Sequence, residues 1–113
     1  MAKRNTELRN YCDFELTMDL IGGKWKGIII HHLFNGTKRF LELKRLMPKI
    51  TQRMLTLQLR ELESDGLVLR KVYAEVPVRV EYSLTPIGKN LELAFEEINQ
   101  WGKLYKKGKL SVG

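Results

Sequence analysis

A chain of 113 residues holds one compact domain and leaves little room for a second. Its 43% hydrophobic and 29% charged residues exclude a disordered chain, and its single cysteine, Cys12, excludes an intrachain disulfide or a cysteine-built zinc cluster. Twenty Lys and Arg against thirteen Asp and Glu leave a net charge of +7, which draws polyanions: nucleic acid first, an acidic membrane surface second, with a merely solvated basic surface as the bland alternative.

Residues 1 to 11 are polar and basic and read as an arm or irregular lead-in. The start is charged ahead of a short apolar stretch and lacks a small-residue cleavage site, so it does not read as a signal peptide. No apolar run approaches the roughly 20 residues of a membrane span, and a lone cysteine suits a reducing compartment, so the expected location is the cytoplasm. Residues 13 to 21 form a short helix that Gly22-Gly23 stops. "KWKGIIIHHLF", residues 24 to 34, is a second helix. Trp25, Ile28, Ile29, Ile30 and Leu33 are too apolar for a surface element and place it in the core. "NGTKRF" turns the chain and offers a short strand.

"FLELKRLM", residues 40 to 47, is a third, short helix with Phe40, Leu43, Leu46 and Met47 inward. Pro48 ends it. Only "PKI" separates it from the next helix, capped by Thr51, so the two must cross steeply as a helix-turn-helix. The helix of residues 51 to 65 ends at Gly66, which takes the left-handed C′ position and lets Leu67 touch Leu62 in a Schellman motif. "VLRKVYA" and "VRVEYSLT" flank "EVP" and read as a β-hairpin. Thr85-Pro86 then starts a last helix reaching about Lys107. Its Ile87, Leu91, Ala94, Ile98, Trp101 and Tyr105 make a coiled-coil-like seam, a candidate dimer interface. Leu93, Phe95 and Leu104 fall off that seam, so this helix touches two surfaces.

The whole is mainly α with a small β-hairpin wing: one winged helix-turn-helix domain over residues 1–113. Its helix-turn-helix is 40–65, its wing 68–84 and its C-terminal dimerisation helix 86–107.

The 51–65 helix carries a second face. Leu55, Leu59 and Leu62 share one narrow sector, and Arg53, Leu57 and Arg60 lie opposite, flanked by Gln52 and Thr56. A solvated face is the plain reading, and Glu63 could pair with Arg60. Arg53 has no acid at the i±3 or i±4 positions and sits in the first turn, where a cation is disfavoured by the helix dipole. A helix start with unpaired cations suits an external anion, and major-groove DNA is the matching partner. On that reading Arg53 or Arg60 bonds guanine O6 and N7, and Gln52 does the same for adenine. Thr56 accepts a hydrogen bond or meets a thymine methyl, which Leu57 also suits. Lys38, Arg39, Lys44, Lys49 and Thr51 hold backbone phosphates. Lys71 and Arg79, near the free end of the hairpin, extend the contact to the wing, unless Glu75 and Glu81 neutralise them.

The stretches "IGGKWKGIII", "GTKRFLELKRLMPKITQRMLTLQLRELESDGLVLRKVY", "EVPVRVEYSLTPIGKNL" and "INQWG", in order and at natural spacing, resemble the HxlR-type winged helix-turn-helix transcriptional regulators, close in architecture to the MarR type. The resemblance implies a bacterial or archaeal homodimer that binds operator DNA and pairs through its N- and C-terminal helices. It maps the recognition helix onto residues 51 to 65 and the wing onto 68 to 84. Some members sense oxidants or electrophiles through a cysteine at the position of Cys12. Here Asp13 stands where the family often has Pro, and Val78 follows Pro77 where the family's wing has a second proline.

Cys12 therefore stands as a candidate redox sensor beside a second reading as an inert thiol. A helix start favours a thiolate, and Asp13 opposes it. His31 and His32 diverge on their helix and find no third orienting residue, and "IGGKWKG" lacks phosphate-loop spacing, so neither an enzyme, a metal nor a cofactor is expected. A winged helix that binds protein or RNA without operator specificity is the alternative. It would leave Arg53 and Arg60 without a groove.

Overall fold

A computed structural model of the chain describes residues 8–112. The expected lead-in falls mostly outside these residues; Leu8–Asn10 is one turn of 3-10 helix. Helix α1 (Asp13–Ile21) follows, with Asp13 and Glu15 complementing the dipole in its first turn. Gly23 reverses the chain at φ +78°.

Helix α2 (Lys26–Leu33) is the central element, and Ile29, Ile30 and Leu33 are buried. Ile28, expected inside, is exposed. Three successive helical residues span about 200° of arc, so the core cannot take all of them. Strand β1 (Lys38–Arg39) leads straight into helix α3 (Phe40–Leu46), where the Glu42 carboxylate accepts from the Arg39 N–H at 2.8 Å. Leu43 and Met47 point inward, but Leu46 is exposed. The buried sector centres between Leu43 and Met47, which leaves Leu46 on its rim. Ile50, in the turn, is buried in its place.

Helix α4 (Gln52–Ser64) is capped by Thr51, whose hydroxyl accepts from the Met54 N–H at 3.0 Å. Its Leu55, Leu59 and Leu62 are fully buried, as the stripe predicts. The Schellman end is complete. Leu67 N–H bonds Leu62 O at 3.0 Å, Gly66 N–H bonds Glu63 O at 3.0 Å, and Gly66 sits at φ +79°.

Strands β2 (Val68–Tyr73) and β3 (Arg79–Leu84) form the antiparallel hairpin. The sheet has three strands rather than two, ordered β1-β3-β2, because Lys38 and Arg39 pair with Tyr82 and Glu81. This third strand clamps the start of α3 to the wing.

The C-terminal helix is not continuous from residue 86. A short helix α5 (Pro86–Lys89) precedes the long helix α6 (Glu92–Val112), with Asn90 and Leu91 between them. Gly88 seats the short helix. It packs so closely on Leu67 that an added Cβ would lie 2.4 Å from the Leu67 carbonyl oxygen. Thr85 reinforces that junction by donating its hydroxyl to Gly66 O at 2.6 Å and accepting from Gly88 N–H at 3.2 Å. The chain then re-aims, and α6 returns across α2 with Phe95 packed edge-on against Phe34, 5.3 Å between centroids. Of the predicted seam, Leu91 packs against the core, whereas Ile87, Ala94, Ile98, Trp101 and Tyr105 are exposed.

Candidate nucleic-acid interface

The outer face of α4 forms one wall of an open groove of about 550 Å³. Gln52, Arg53, Thr56, Leu57 and Arg60 all line it, together with Phe40 from the start of α3. The five residues singled out for base contact thus share one concave surface. Phe40, expected on the inner side of α3, is half-buried and packs against the core while its free edge lines the groove.

Charge in the groove is uncompensated from within. Arg53 and Arg60 are exposed and form no ion pair among the described residues, so the possible pairing of Arg60 with Glu63 does not occur. Leu57 stands 46% exposed between them. Thr56 donates its hydroxyl back to Gln52 O at 2.9 Å, which leaves the oxygen as an acceptor and the methyl as a contact.

The proposed phosphate-holding set is more scattered. Lys49 and Arg39 are exposed, and Lys44 is half-buried. Lys38 Nζ lies 3.4 Å from Gly36 O. The Thr51 oxygen is committed to the cap, and its hydroxyl proton is left for an outside acceptor.

The wing departs from expectation. Arg79 is taken up within the hairpin: its Nη1 donates to Glu81 Oε2 at 3.2 Å, and its guanidinium lies 3.8 Å from the Tyr73 ring centre. Its Nε sits 2.9 Å from Glu75 Oε1 but off line for a hydrogen bond, so that contact is Coulombic. Lys71 lies opposite Glu81 in the ladder and over the same Tyr73 ring at 5.0 Å. The neutralising alternative therefore describes Arg79. A second hollow, about 290 Å³, opens between α4 and the hairpin and is lined by Thr56, Leu59, Arg60, Glu63, Arg70 and Tyr82.

Sequence reasoning also missed what aims α4. Lys26, read as part of an apolar helix, is buried, and its Nζ meets Glu61 Oε1 of α4 at 2.7 Å. An i, i+3 or i, i+4 search along the chain cannot find a pair 35 residues apart.

Away from the groove residues α6 presents an apolar arc. Leu93, Trp101 and Leu104 are 75%, 65% and 68% exposed, and Trp101 stacks on Tyr105. Beside it an apolar groove of about 540 Å³ runs between α1, α2 and α6, with Met18, Ile28 and Ile98 on its walls. Cys12 is exposed at the N-cap of α1 and makes no side-chain cap bond there. Among the described residues no helix is long and apolar enough to cross a membrane.

The HxlR-like helix-turn-helix family model matches residues 20–109. The uncharacterised HTH-type transcriptional regulator YdeP of Bacillus subtilis strain 168 is 59% identical over 95 residues, 84% of this chain and 74% of the relative. Among solved structures, the redox regulator HypR in its reduced form superposes with a TM-score of 0.84 at 53% identity, covering 88% of this chain and 99% of HypR. Its oxidised form superposes with a TM-score of 0.78 at 58% identity, covering 81% and 95%.

Proposed function

The chain belongs to the HxlR-like helix-turn-helix family of transcriptional regulators, and from that footing we propose that it reads a pseudo-palindromic operator in double-stranded DNA as a homodimer, with Cys12 making the binding sensitive to thiol oxidants. One observation carries the DNA half of this reading. The groove of α4 gathers Gln52, Arg53, Thr56, Leu57 and Arg60, and neither arginine has an internal counter-ion among the described residues. No carboxylate among the described residues pairs with either guanidinium, and a guanine edge beside a thymine methyl supplies acceptors for a guanidinium and an apolar contact for the leucine.

The apolar arc of α6 supports the homodimer. A chain this small leaves Leu93, Trp101 and Leu104 in water at a hydrophobic cost, and a second copy relieves it. Two copies present two recognition helices, which meet successive major grooves if they stand roughly 34 Å apart or a multiple of that. The oxidant response rests on the exposed Cys12 at a helix start and on similarity to a protein described as a redox regulator.

Selection of bound duplexes from a random pool, run with reduced and oxidised protein, tests all three parts. Enrichment of a two-fold symmetric site is expected, with affinity that shifts on oxidation and does not shift in Cys12→Ser. If the dimer neutralises about eight phosphates, log affinity falls against log salt with a slope near −7. A shallow slope with no enriched site favours a protein- or RNA-binding winged helix. Affinity unchanged by oxidant ends the sensor role of Cys12.

A further inference from the structure

We infer that a DNA backbone phosphate seats in the hollow between the recognition helix and the wing, held by Arg70, so that Arg70 rather than Arg79 is the wing's DNA-binding cation. This rests on the duplex-binding reading above and adds a residue and a ligand group to it.

Strand parity comes first. In the hairpin register Val68 faces Leu84, and Arg70 faces Tyr82; Val68, Tyr82 and Leu84 are all buried. Side chains alternate along a strand, so Arg70 lies on the sheet face that packs toward α4. Lys71, Tyr73, Arg79 and Glu81 occupy the other face, where Arg79 bonds Glu81 and both cations lie over the Tyr73 ring.

Charge comes second. Arg79 has two carboxylates and an aromatic ring around it. Arg70 is exposed and has no ion pair among the described residues. Arg60 lines the same hollow and equally lacks an ion pair. The single acid there is Glu63, exposed and more than 4.0 Å from either guanidinium by the absence of any ion pair. Two guanidinium groups against one carboxylate leave the hollow positive.

Position comes third. Thr56 and Arg60 line both this hollow and the groove of α4, so the two adjoin. A helix whose outer face meets base edges has the sugar-phosphate strand at the rim of the groove, beside it. The wing-side hollow occupies that rim. Arg60 stands at the border between base edge and backbone, and Arg70 is placed to take the phosphate with a forked guanidinium.

Duplex affinity of the full chain across a salt series decides it, using R70A, R70K, R79A and E63Q. R70A is expected to weaken specific and random duplexes by the same factor and to flatten the salt slope by about 1 per subunit. R70K keeps the charge and keeps the slope, which separates a lost contact from a damaged fold. R79A leaves the slope at its wild-type value. E63Q tightens binding to every duplex, because it removes the carboxylate that competes with the phosphate. A slope unchanged in R70A, or a loss carried by R79A instead, overturns the inference while leaving duplex binding intact. Wild-type protein that binds no duplex at any salt overturns both.

Discussion

Lys26 of α2 and Glu61 of the recognition helix close to 2.7 Å, the lysine side chain 11% exposed and the glutamate 35%. This is the one ion pair among the described residues that joins the core helix to the helix bearing the groove. It ties the last third of α4 to the first residue of α2, on a flank between the buried stripe and the groove face.

The two partners are unequal, and so are their substitutions. Glu61→Gln leaves a nearly buried ammonium without its counter-charge and is expected to destabilise the fold by about 1–3 kcal/mol, the partial exposure of Glu61 keeping the loss below that of a fully buried pair. Lys26→Met fills the same volume and leaves only a half-exposed carboxylate, so its cost is smaller. Denaturant melts of the two variants check the order. Equal losses would mean that the pair contributes through packing alone.

Arg53 and Arg60 are predicted to separate by sequence dependence. Arg53→Ala is expected to cost about 1–3 kcal/mol on the selected operator and to relax preference at one base pair per half-site. Binding measured on a panel of single-substituted duplexes is the check. A uniform loss across the panel would make Arg53 a phosphate contact.

If the proposed homodimer forms through the apolar arc of α6, Trp101→Glu together with Leu104→Glu is expected to leave a monomer and to weaken operator binding steeply. Both side chains are largely exposed within one copy, so helicity and melting cooperativity of the monomer should survive. Sedimentation read alongside circular dichroism checks both halves. A dimer that persists places the interface elsewhere.

His32 provides a pH dependence whose sign can be worked out. Burial first, then His31 and Lys38, lower its pKa from the ordinary 6.5. A base that is harder to protonate when folded binds protons preferentially in the unfolded chain. Its effect on stability is nil well above 6.5 and turns destabilising as pH falls through 6.5 toward the lowered folded value. His32→Gln is expected to lose less stability than wild type between about pH 7 and pH 5, measured by thermal melts. Parallel curves for the two proteins would count against it.

Much of the recognition helix was legible along the chain. Thr51, the Leu55-Leu59-Leu62 stripe and Gly66-Leu67 are local signals, and each depends on contacts within about four residues. The groove face was legible by subtraction, since whatever lies opposite a leucine stripe faces outward. The wing was legible as a hairpin but not as to which side its cations take. "VLRKVY" has no clean apolar alternation, so nothing in it says whether Arg70 or Lys71 faces the core. The burial of Tyr82 and Leu84 across the ladder decides that.

What the sequence determined by itself was the kind of protein: a basic winged helix-turn-helix with an outward cationic helix and an apolar C-terminal arc. Periodicity, caps and charge are properties of neighbouring residues, and they survive without knowledge of the fold. Tertiary structure alone decided which charges remain available. Lys26 is spent on Glu61, Arg79 on Glu75 and Glu81, and the last helix is interrupted at Asn90 and Leu91. Those outcomes turn on approaches of a few ångströms between residues brought together by folding, because both ion pairing and steric exclusion fall away within that distance.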